Sequence, residues 1–427
     1  MHFLKNLKIK IIKRKSIITI IGLGYVGLPV AFHFSKKYKV FGYDINKKRL
    51  SELKKNYDKN KSISKKQLSK KTIKFENKIN RIKETDIFII TTPTPIDKKN
   101  RPNLKHIFNA LKIIIKSGIK EKLIILESTV FPGASYDACV KFIEKQTDYV
   151  LNKDFFFGYS PERINPGDKK NNFRNIAKIV SGSSLETSNI VHKLYKSVVN
   201  KVFKASSIKL AETAKLIENT QRDINIAFIN EIAIACNKMN LSFSEVYKLA
   251  STKWNFINFN PGLVGGHCIG VDPYYLFYSL KKKKYNPKLL LNGRNLNEGF
   301  PKFLCDLFLK NINIKRPKIL LMGATYKANC NDVRNSKSLA LYDQFKKKRC
   351  KIFLFDPYVE KTDIKKLKKF NFIKKPKYNY YDGIFVSVDH LKFKKIGYGA
   401  INSFGNKSCK IFDLKNILKK KQNIIHL

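Results

Sequence analysis

One stretch restricts the folds open to this chain more than any other. Ser16 to Ile21 reads SIITII, a β-rich run, and Gly22-Leu23-Gly24-Tyr25-Val26-Gly27 follows it directly. LPVAFHFSKK then carries an apolar helical pattern, and Lys39 to Asp44 (KVFGYD) is a second short strand ending on an acid. Strand, glycine turn, helix, strand and terminal acid, in that order, are the parts of a dinucleotide-binding βαβ unit. The first glycine permits the turn, the second lets backbone approach a pyrophosphate, and the third lets helix and strand pack closely. The helix start offers unpaired N–H groups to the phosphates. Gly22, Gly24, Gly27 and Asp44 are therefore candidate cofactor residues. An acid at that position accepts hydrogen bonds from ribose hydroxyls and repels a 2′-phosphate, which points to NAD.

The alternation of apolar runs and helical segments continues. Asp86 to Thr91 (DIFIIT) opens into Thr92-Pro93-Thr94-Pro95, and Leu123 to Leu126 opens into Glu127-Ser128-Thr129-Val130-Phe131-Pro132-Gly133. Phe155 to Tyr159 ends in Ser160-Pro161-Glu162-Arg163, and Ile176 to Ser181 and Lys201 to Lys204 are shorter strand candidates. Such a pattern predicts a parallel sheet. Ligands bind beyond the carboxyl ends of its strands, where these turns fall. Ordinary loop chemistry, with proline fixing φ and Ser or Thr capping, would produce the same turns without a ligand. After Pro317 a second half begins: Lys318 to Met322 (KILLM), Cys350 to Asp356, Gly383 to Val388 and Lys410 to Leu414. Only Gly323 remains of the glycine pattern there, so a second dinucleotide is not expected. Its turn carries Lys327, Asp332 and Arg334, a set suited to phosphates and bridging ligands.

The expected class is α/β, with two Rossmann-like doubly wound domains joined by a long central helix and a helical middle domain. The expected boundaries are 1–205 for an NAD-binding domain, 206–312 for the helical part and 313–427 for the second nucleotide-fold domain. A length of 427 residues, too long for one ordinary core, agrees with this division.

The 86 Lys+Arg against 32 Asp+Glu, a net charge of +54, would suit a nucleic-acid binder. Yet the lysines are spread over strands, helices and loops alike, with no finger, basic-zipper or aromatic RNA-binding signature. General compositional drift explains them, and no nucleic-acid partner is expected. A positive surface still attracts anionic nucleotides. Seven cysteines without a CxxC pair argue for a reducing compartment and against a disulfide framework. The histidines lack ligand spacing, so no metal is expected. Basic Lys5 to Lys15 before apolar Ile17 to Phe34 superficially resembles a signal peptide or membrane span. Gly22, Gly24, Gly27, Pro29 and His33 interrupt that run, and a cytoplasmic protein with no membrane partner is expected.

A long helix is expected from Ser206 or Ser207 to about Asn240. Glu212, Lys215, Asn219 and Arg222 share one of its faces. The flanking Leu216, Ile217, Ile224, Ile226, Phe228 and Ile232 predict burial over much of its girth. A polar stripe on such a helix faces either a partner or a water-filled site. Apolar surface beyond what one chain can cover suggests a homodimer or larger homo-oligomer. After a segment from Pro287 to Arg294, a further helix is expected near Phe300 to Asn311. Between them and the long helix, Asn260 to Tyr275 reads NPGLVGGHCIGVDPYY. Cys268 follows Gly265-Gly266 and precedes Asp272, with Pro261 and Pro273 on either side. A thiol on a glycine-walled loop near a carboxylate suits a nucleophile, because glycines let the backbone come close to a ligand. A buried structural cysteine beside a tight turn is the other reading.

Taken together, GLGYVGLP, TPTP, ESTVFPG, SPER, AETAKLIENTQRDINIAFINE, GGHCIGVDP and GATYKANCNDVRNS resemble the UDP-glucose/GDP-mannose dehydrogenase family across nearly the whole chain. YSPERINPGD and NPGLVGGHCIGVDPYYL are similar to the branch acting on UDP-N-acetylglucosamine or UDP-N-acetylgalactosamine; UDP-glucose is the alternative substrate. The resemblance implies a four-electron oxidation of the sugar C6 hydroxyl to a uronic acid, consuming two NAD+, for surface polysaccharide precursors. It implies that Cys268 forms a thiohemiacetal and then a thioester, and that Lys215 and Asn219 hold the oxyanion and orient water with Asp272. Glu162 is the implied general base and Thr129 an aid to proton transfer. Thr92, Thr129 and Arg334 join the glycines and Asp44 as implied cofactor contacts. Glu162, Lys215, Asn219, Gly265 and Lys327 are implied substrate contacts. Ala328 stands where the branch often has an acid, and Asn331 where proline is common, so the turn around Lys327 departs from the pattern. His267 either tunes the thiol or merely belongs to the loop; neighbours on an extended loop point apart, which favours the second.

Two other classes fit less well. A two-electron NAD-dependent reductase or epimerase needs no such cysteine, and the Tyr-xxx-Lys pair of those epimerases is missing from a suitable place. A non-catalytic basic protein keeping the fold would not need Lys215, Asn219, Cys268 and Asp272 together.

Overall fold

The computed structural model describes residues 2–70, 72–164, 173–360, 364, 367–418 and 421–427. The last residues of the YSPERINPGD motif, from 165 on, lie outside them. The chain forms two compact units, Met1–Glu218 with Tyr274–Tyr285, and Asn219–Pro273 with Asn286–Leu427.

The first unit is built on an eight-stranded sheet. Its strands are β1 (Ile17–Ile21), β2 (Lys39–Tyr43), β3 (Ile73–Glu76), β4 (Ile87–Ile90), β5 (Leu123–Leu126), β6 (Phe156–Tyr159), β7 (Lys178–Gly182) and β8 (Val202–Lys204). The order is β3-β2-β1-β4-β5-β6-β7-β8. β4 (IFII) and β5 (LIIL) are buried at every position, as strands covered on both faces require. The chain order reverses between β1 and β4, and ligands of such sheets bind at that reversal. Gly22 and Thr91 stand at its carboxyl edge. The sheet is parallel as expected at every pair but one: β6 and β7 run antiparallel. A parallel return needs a long crossover, usually a helix. The described residues between these strands form none.

An N-terminal helix, His2–Ile12, was not anticipated from the basic run. It buries Leu4, Leu7 and Ile11 in the first core, and Lys10 pairs with Asp86 at 2.6 Å.

In the second unit β9 (Lys318–Met322), β10 (Lys351–Phe355), β11 (Tyr381–Val386), β12 (Gly405–Asp413) and β13 (Ile424–Ile425) form a parallel sheet ordered β10-β9-β11-β12-β13. One helix, Lys288–Leu309, takes in that segment with most of the expected helix and runs through Pro301. Proline removes one N–H and crowds the preceding turn. Buried Phe300, Leu304, Cys305 and Phe308 hold the helix to the second core regardless.

The long helix is Ile208–Lys238, and Ser207 Oγ accepts from Leu210 N at 3.2 Å at its start. Its expected burial is only partly met. Leu216 is buried, but Ile217 and Phe228 are 54% and 55% exposed.

Candidate functional site

In the first unit the glycine turn is closed by backbone and side chain together. Gly22 adopts φ +94°, and its N–H donates to Tyr43 O at 2.9 Å. Thr91 Oγ1 donates to Gly22 O at 2.7 Å. A Cβ on Gly27 would stand 1.8 Å from Gly22 O and 2.4 Å from Thr91 Oγ1, so only glycine fits there. A Cβ on Gly24 would meet nothing within 4 Å. Asp44 accepts from Leu23 N and Asn46 N, both at 2.8 Å, which fixes its carboxylate beside the turn. Ser128 Oγ donates to Thr92 O at 2.7 Å, and the Thr92 hydroxyl is buried with no hydrogen-bond partner among the described residues. Thr129 is half-buried. Tyr275, which the sequence reading passed over, donates its hydroxyl to Thr94 O at 2.9 Å and ties down the TPTP turn.

Glu162 sits in a buried cluster that was not foreseen. Lys178 Nζ lies 3.2 Å from Glu162 Oε2 and 3.1 Å from Glu127 Oε2, and Tyr195 donates its hydroxyl to Glu127. Burial pushes the Glu127 carboxyl up to about 7, against the pull of Lys178. Burial works the same way on Glu162. There Lys178 and the backbone N–H groups of Ile164 and Arg163, at 2.6 and 2.7 Å, outweigh it and hold the carboxyl below its ordinary value. Lys178 and the two N–H groups hold the Glu162 carboxylate in place, and its expected general-base role is taken up as a proposal below. A single Lys among so many gives no sequence signal for such a pairing.

The four residues of the long helix's polar stripe have different surroundings. Glu212 is buried and accepts from Gly133 N at 2.5 Å and Ser135 N at 2.9 Å, which makes it an anchor for the ESTVFPG turn. Arg222 is exposed. Lys215 is buried within the first unit, and Asn219 belongs to the second.

In the second unit three expected residues converge. Asn219 Nδ2 donates to Asp272 Oδ2 at 2.5 Å, and Asp272 N donates to Cys268 O at 2.8 Å. The loop carrying Cys268 is held from behind by a buried polar network. Asn230 exchanges hydrogen bonds with Gly262, at 2.8 and 3.1 Å, and donates to Asn297 Oδ1 at 2.9 Å. Asn297 donates to Asp223 Oδ1 at 2.8 Å, and Arg294 Nη1 donates to the same oxygen at 2.5 Å. The only sequence trace of this network is four polar residues inside largely apolar helices.

Packing also requires the two glycines before the cysteine. A Cβ on Gly265 would lie 2.5 Å from Asn335 O, and one on Gly266 would lie 2.5 Å from the Tyr326 ring. Their close approach is to the protein's own chain, so a ligand contact at Gly265 would have to use its backbone. His267 also departs from expectation. The segment turns, with Gly266 at φ +86° and both Val271 N and Asp272 N bonded to Cys268 O. His267 Nδ1 therefore comes within 3.1 Å of Cys268 Sγ, and its Nε2 lies 3.9 Å from Asp332 Oδ2. Arg334 grips Asp332 through Nε, at 2.9 Å to Oδ1, and Nη2, at 2.5 Å to Oδ2. The turn around Lys327 is shaped by Thr325 Oγ1 and Cys330 Sγ, each donating to Lys327 O at 3.0 Å, and by Asn329 N donating to His390 Nδ1 at 2.9 Å.

Three family models match in succession. The NAD binding domain of the UDP-glucose/GDP-mannose dehydrogenase family covers residues 16–199, its central domain 209–299 and its UDP binding domain 320–420. The chain belongs to the UDP-glucose/GDP-mannose dehydrogenase family. It is 40% identical to the UDP-N-acetyl-D-glucosamine 6-dehydrogenase of Salmonella typhi over 96% of this chain and 98% of that one. It is 41% identical to the Pseudomonas aeruginosa protein of the same name, over 96% and 99%. The solved UDP-D-ManNAc dehydrogenase from Pyrococcus horikoshii superposes with a TM-score of 0.83 at 30% identity, over 96% and 98% of the two chains. This family member is an NAD-dependent nucleotide-sugar dehydrogenase. Its first unit suits that cofactor: Gly24 leaves open space where a side chain would stand, Thr92 keeps a buried hydroxyl unmatched, and Asp44 is pinned beside the turn. Among the described residues no helix is long and apolar enough to cross a membrane.

Proposed function

We propose that this enzyme oxidises the C6 hydroxyl of a UDP-N-acetylhexosamine to the uronic acid in two successive oxidations in one site, the second of them through a cysteine. The observation that carries the reading is the contact of Asn219, on the long helix, with Asp272 on the turn that begins at Cys268. The acetamido sugar rests on relatives named for UDP-N-acetyl-D-glucosamine. Bound NAD+ supplies the hydride acceptor for each oxidation. Gly22, Gly24, Gly27, Asp44, Thr92 and Thr129 would hold it, with Arg334 a further contact.

The Cys268 sulfur adds to the C6 aldehyde to form a thiohemiacetal. Oxidation leaves a thioester, and water attacks it to release the carboxylate and restore the thiol. Asn219 and Asp272 orient that water, and Lys215 stabilises the oxyanion of each tetrahedral species. Glu162, held by Lys178, acts as general base on the SPER turn and contacts the substrate, and Lys327 contacts the nucleotide sugar. The division at 205/206 and 312/313 follows these roles: cofactor domain, helical domain with the cysteine, and UDP-sugar domain. We place the enzyme in the cytoplasm, making precursors of a surface polysaccharide. The exposed Ile217 and Phe228 support a homodimer formed on the long helix.

Counting NADH against sugar nucleotide tests the scheme. Two per sugar are expected, and one would remove the four-electron reaction. Cys268→Ala should stop uronate formation, and normal turnover in that variant would remove the nucleophile. In a panel of UDP-sugars, a preference for UDP-glucose would overturn the acetamido assignment.

A further inference from the structure

The contact between His267 and Cys268 does more than fill space. We propose that His267 is the proton acceptor for the Cys268 thiol, with Asp332 as the residue that orients the ring. This rests on Cys268 being the nucleophile. Three placements carry it, all within the second unit. Nδ1 is 3.1 Å from Sγ, the ring is wedged edge-on against Tyr326 with centroids 5.4 Å apart, and Nε2 points toward Asp332 Oδ2 at 3.9 Å. With its proton on Nε2, facing the carboxylate, the ring turns the Nδ1 lone pair to the sulfur.

The charged and titratable groups around the ring are Arg334, Asp332, the thiol and Tyr326. Burial and then the Arg334 guanidinium lower the imidazole's affinity for a proton, and Asp332 opposes them. These groups hold the imidazole below its ordinary value, while its Nδ1 faces the sulfur. Asp332 is itself gripped by Arg334, which moderates its pull on the imidazolium. As sulfur attacks the aldehyde carbon, the S–H proton moves to Nδ1 and the carbonyl pair moves onto oxygen. The imidazolium then returns the proton, through solvent, to that alkoxide. Nothing is oxidised in this step.

The native enzyme is treated with iodoacetamide across pH 6 to 10, and each cysteine peptide is followed by mass spectrometry. Cys350 is the internal reference, since burial pushes its thiol up to about 11. Cys268 should react faster than Cys350 at pH 7; equal or slower reaction would overturn the proposal without any variant. In His267→Gln, Cys268 alkylation and uronate formation at pH 7 should fall together by roughly 10- to 30-fold, the deficit of thiolate in an unassisted thiol. Both should recover as pH rises through the ordinary thiol range, whereas a purely structural role would leave a loss at every pH. An unchanged pH profile in that variant overturns the proposal. Asp332→Asn should shift the profile in the same direction by less. Normal uronate formation in Cys268→Ala would instead bring down the nucleophile reading, whatever the alkylation profile shows.

Discussion

The two sheets begin with the same device and use it differently. In the first, Gly22 at φ +94° donates to the last residue of β2, Asp44 takes Leu23 N, and Thr91 Oγ1 clamps Gly22 O. In the second, Gly323 at φ +106° donates to the last residue of β10 at 2.8 Å, and Asp356 takes Ala324 N at 2.8 Å. Ser387 Oγ clamps Gly323 O at 3.1 Å. The difference lies in what the acid has left to offer. Asp44 is half-buried, with one bond to each oxygen. Asp356 is buried and also takes Thr325 N, Tyr358 N and His390 Nε2, at 3.1, 2.8 and 3.0 Å. The next helix starts at Gly27 in the first half but only at Lys337 in the second. A strand-turn-acid frame becomes a dinucleotide site only when the acid faces outward and a helix N-terminus follows at once.

Substitutions can break this contrast. The largest effect is expected for Gly27→Ala, whose Cβ overlaps Gly22 O. Overpacking against backbone should cost about 3 kcal/mol in a denaturant melt and weaken NAD+ binding by about 100-fold or more. Gly24→Ala, with open space around it, should stay within about 0.5 kcal/mol of the native stability while still weakening NAD+. Asp356→Asn should lose about 2 to 4 kcal/mol and leave the KM for NAD+ unchanged, since its bonds are internal.

Asp44→Asn should do the reverse, with little change in stability but a preference for NAD+ over NADP+ reduced by roughly 10-fold. Equal use of both cofactors by the native enzyme would contradict the ribose assignment. A smaller effect concerns pH. Burial pushes the Asp356 carboxyl up, but His390 and the N–H groups of Ala324 and Tyr358 outweigh it, so it sits below its ordinary value. A depressed folded value means stability that is present above about pH 4 and fades as pH falls further. The gap in urea midpoint between native enzyme and Asp356→Asn should therefore narrow from pH 5 to pH 3.

Legibility followed physical type. β5 and β9 were readable to the residue, because their apolar runs are unbroken and sharply bounded. β3 (IKFE) was missed because Lys74 and Glu76 hide its two buried positions, and β12 was cut short because its first half, GNKSC, is polar. At the site, the glycine turn and the cysteine loop announced themselves by spacing. Lys178, Glu127 and the Asp223-Arg294-Asn297-Asn230 network did not, because each depends on a partner many positions away that only packing brings close. His267 was misjudged for a local reason: adjacency in sequence says nothing about direction until the turn at Gly266 is known.

The buried Arg294–Asp223 pair has a mechanical meaning. Asp223 lies one helical turn past Asn219. Rolling the helix enough to swing the Asn219 amide off Asp272 would pull Asp223 from the buried Arg294 guanidinium, leaving it only Glu298 at 3.3 Å among the described residues. The pair works as a locking pin on a spindle, setting the angle at which the amide faces its carboxylate.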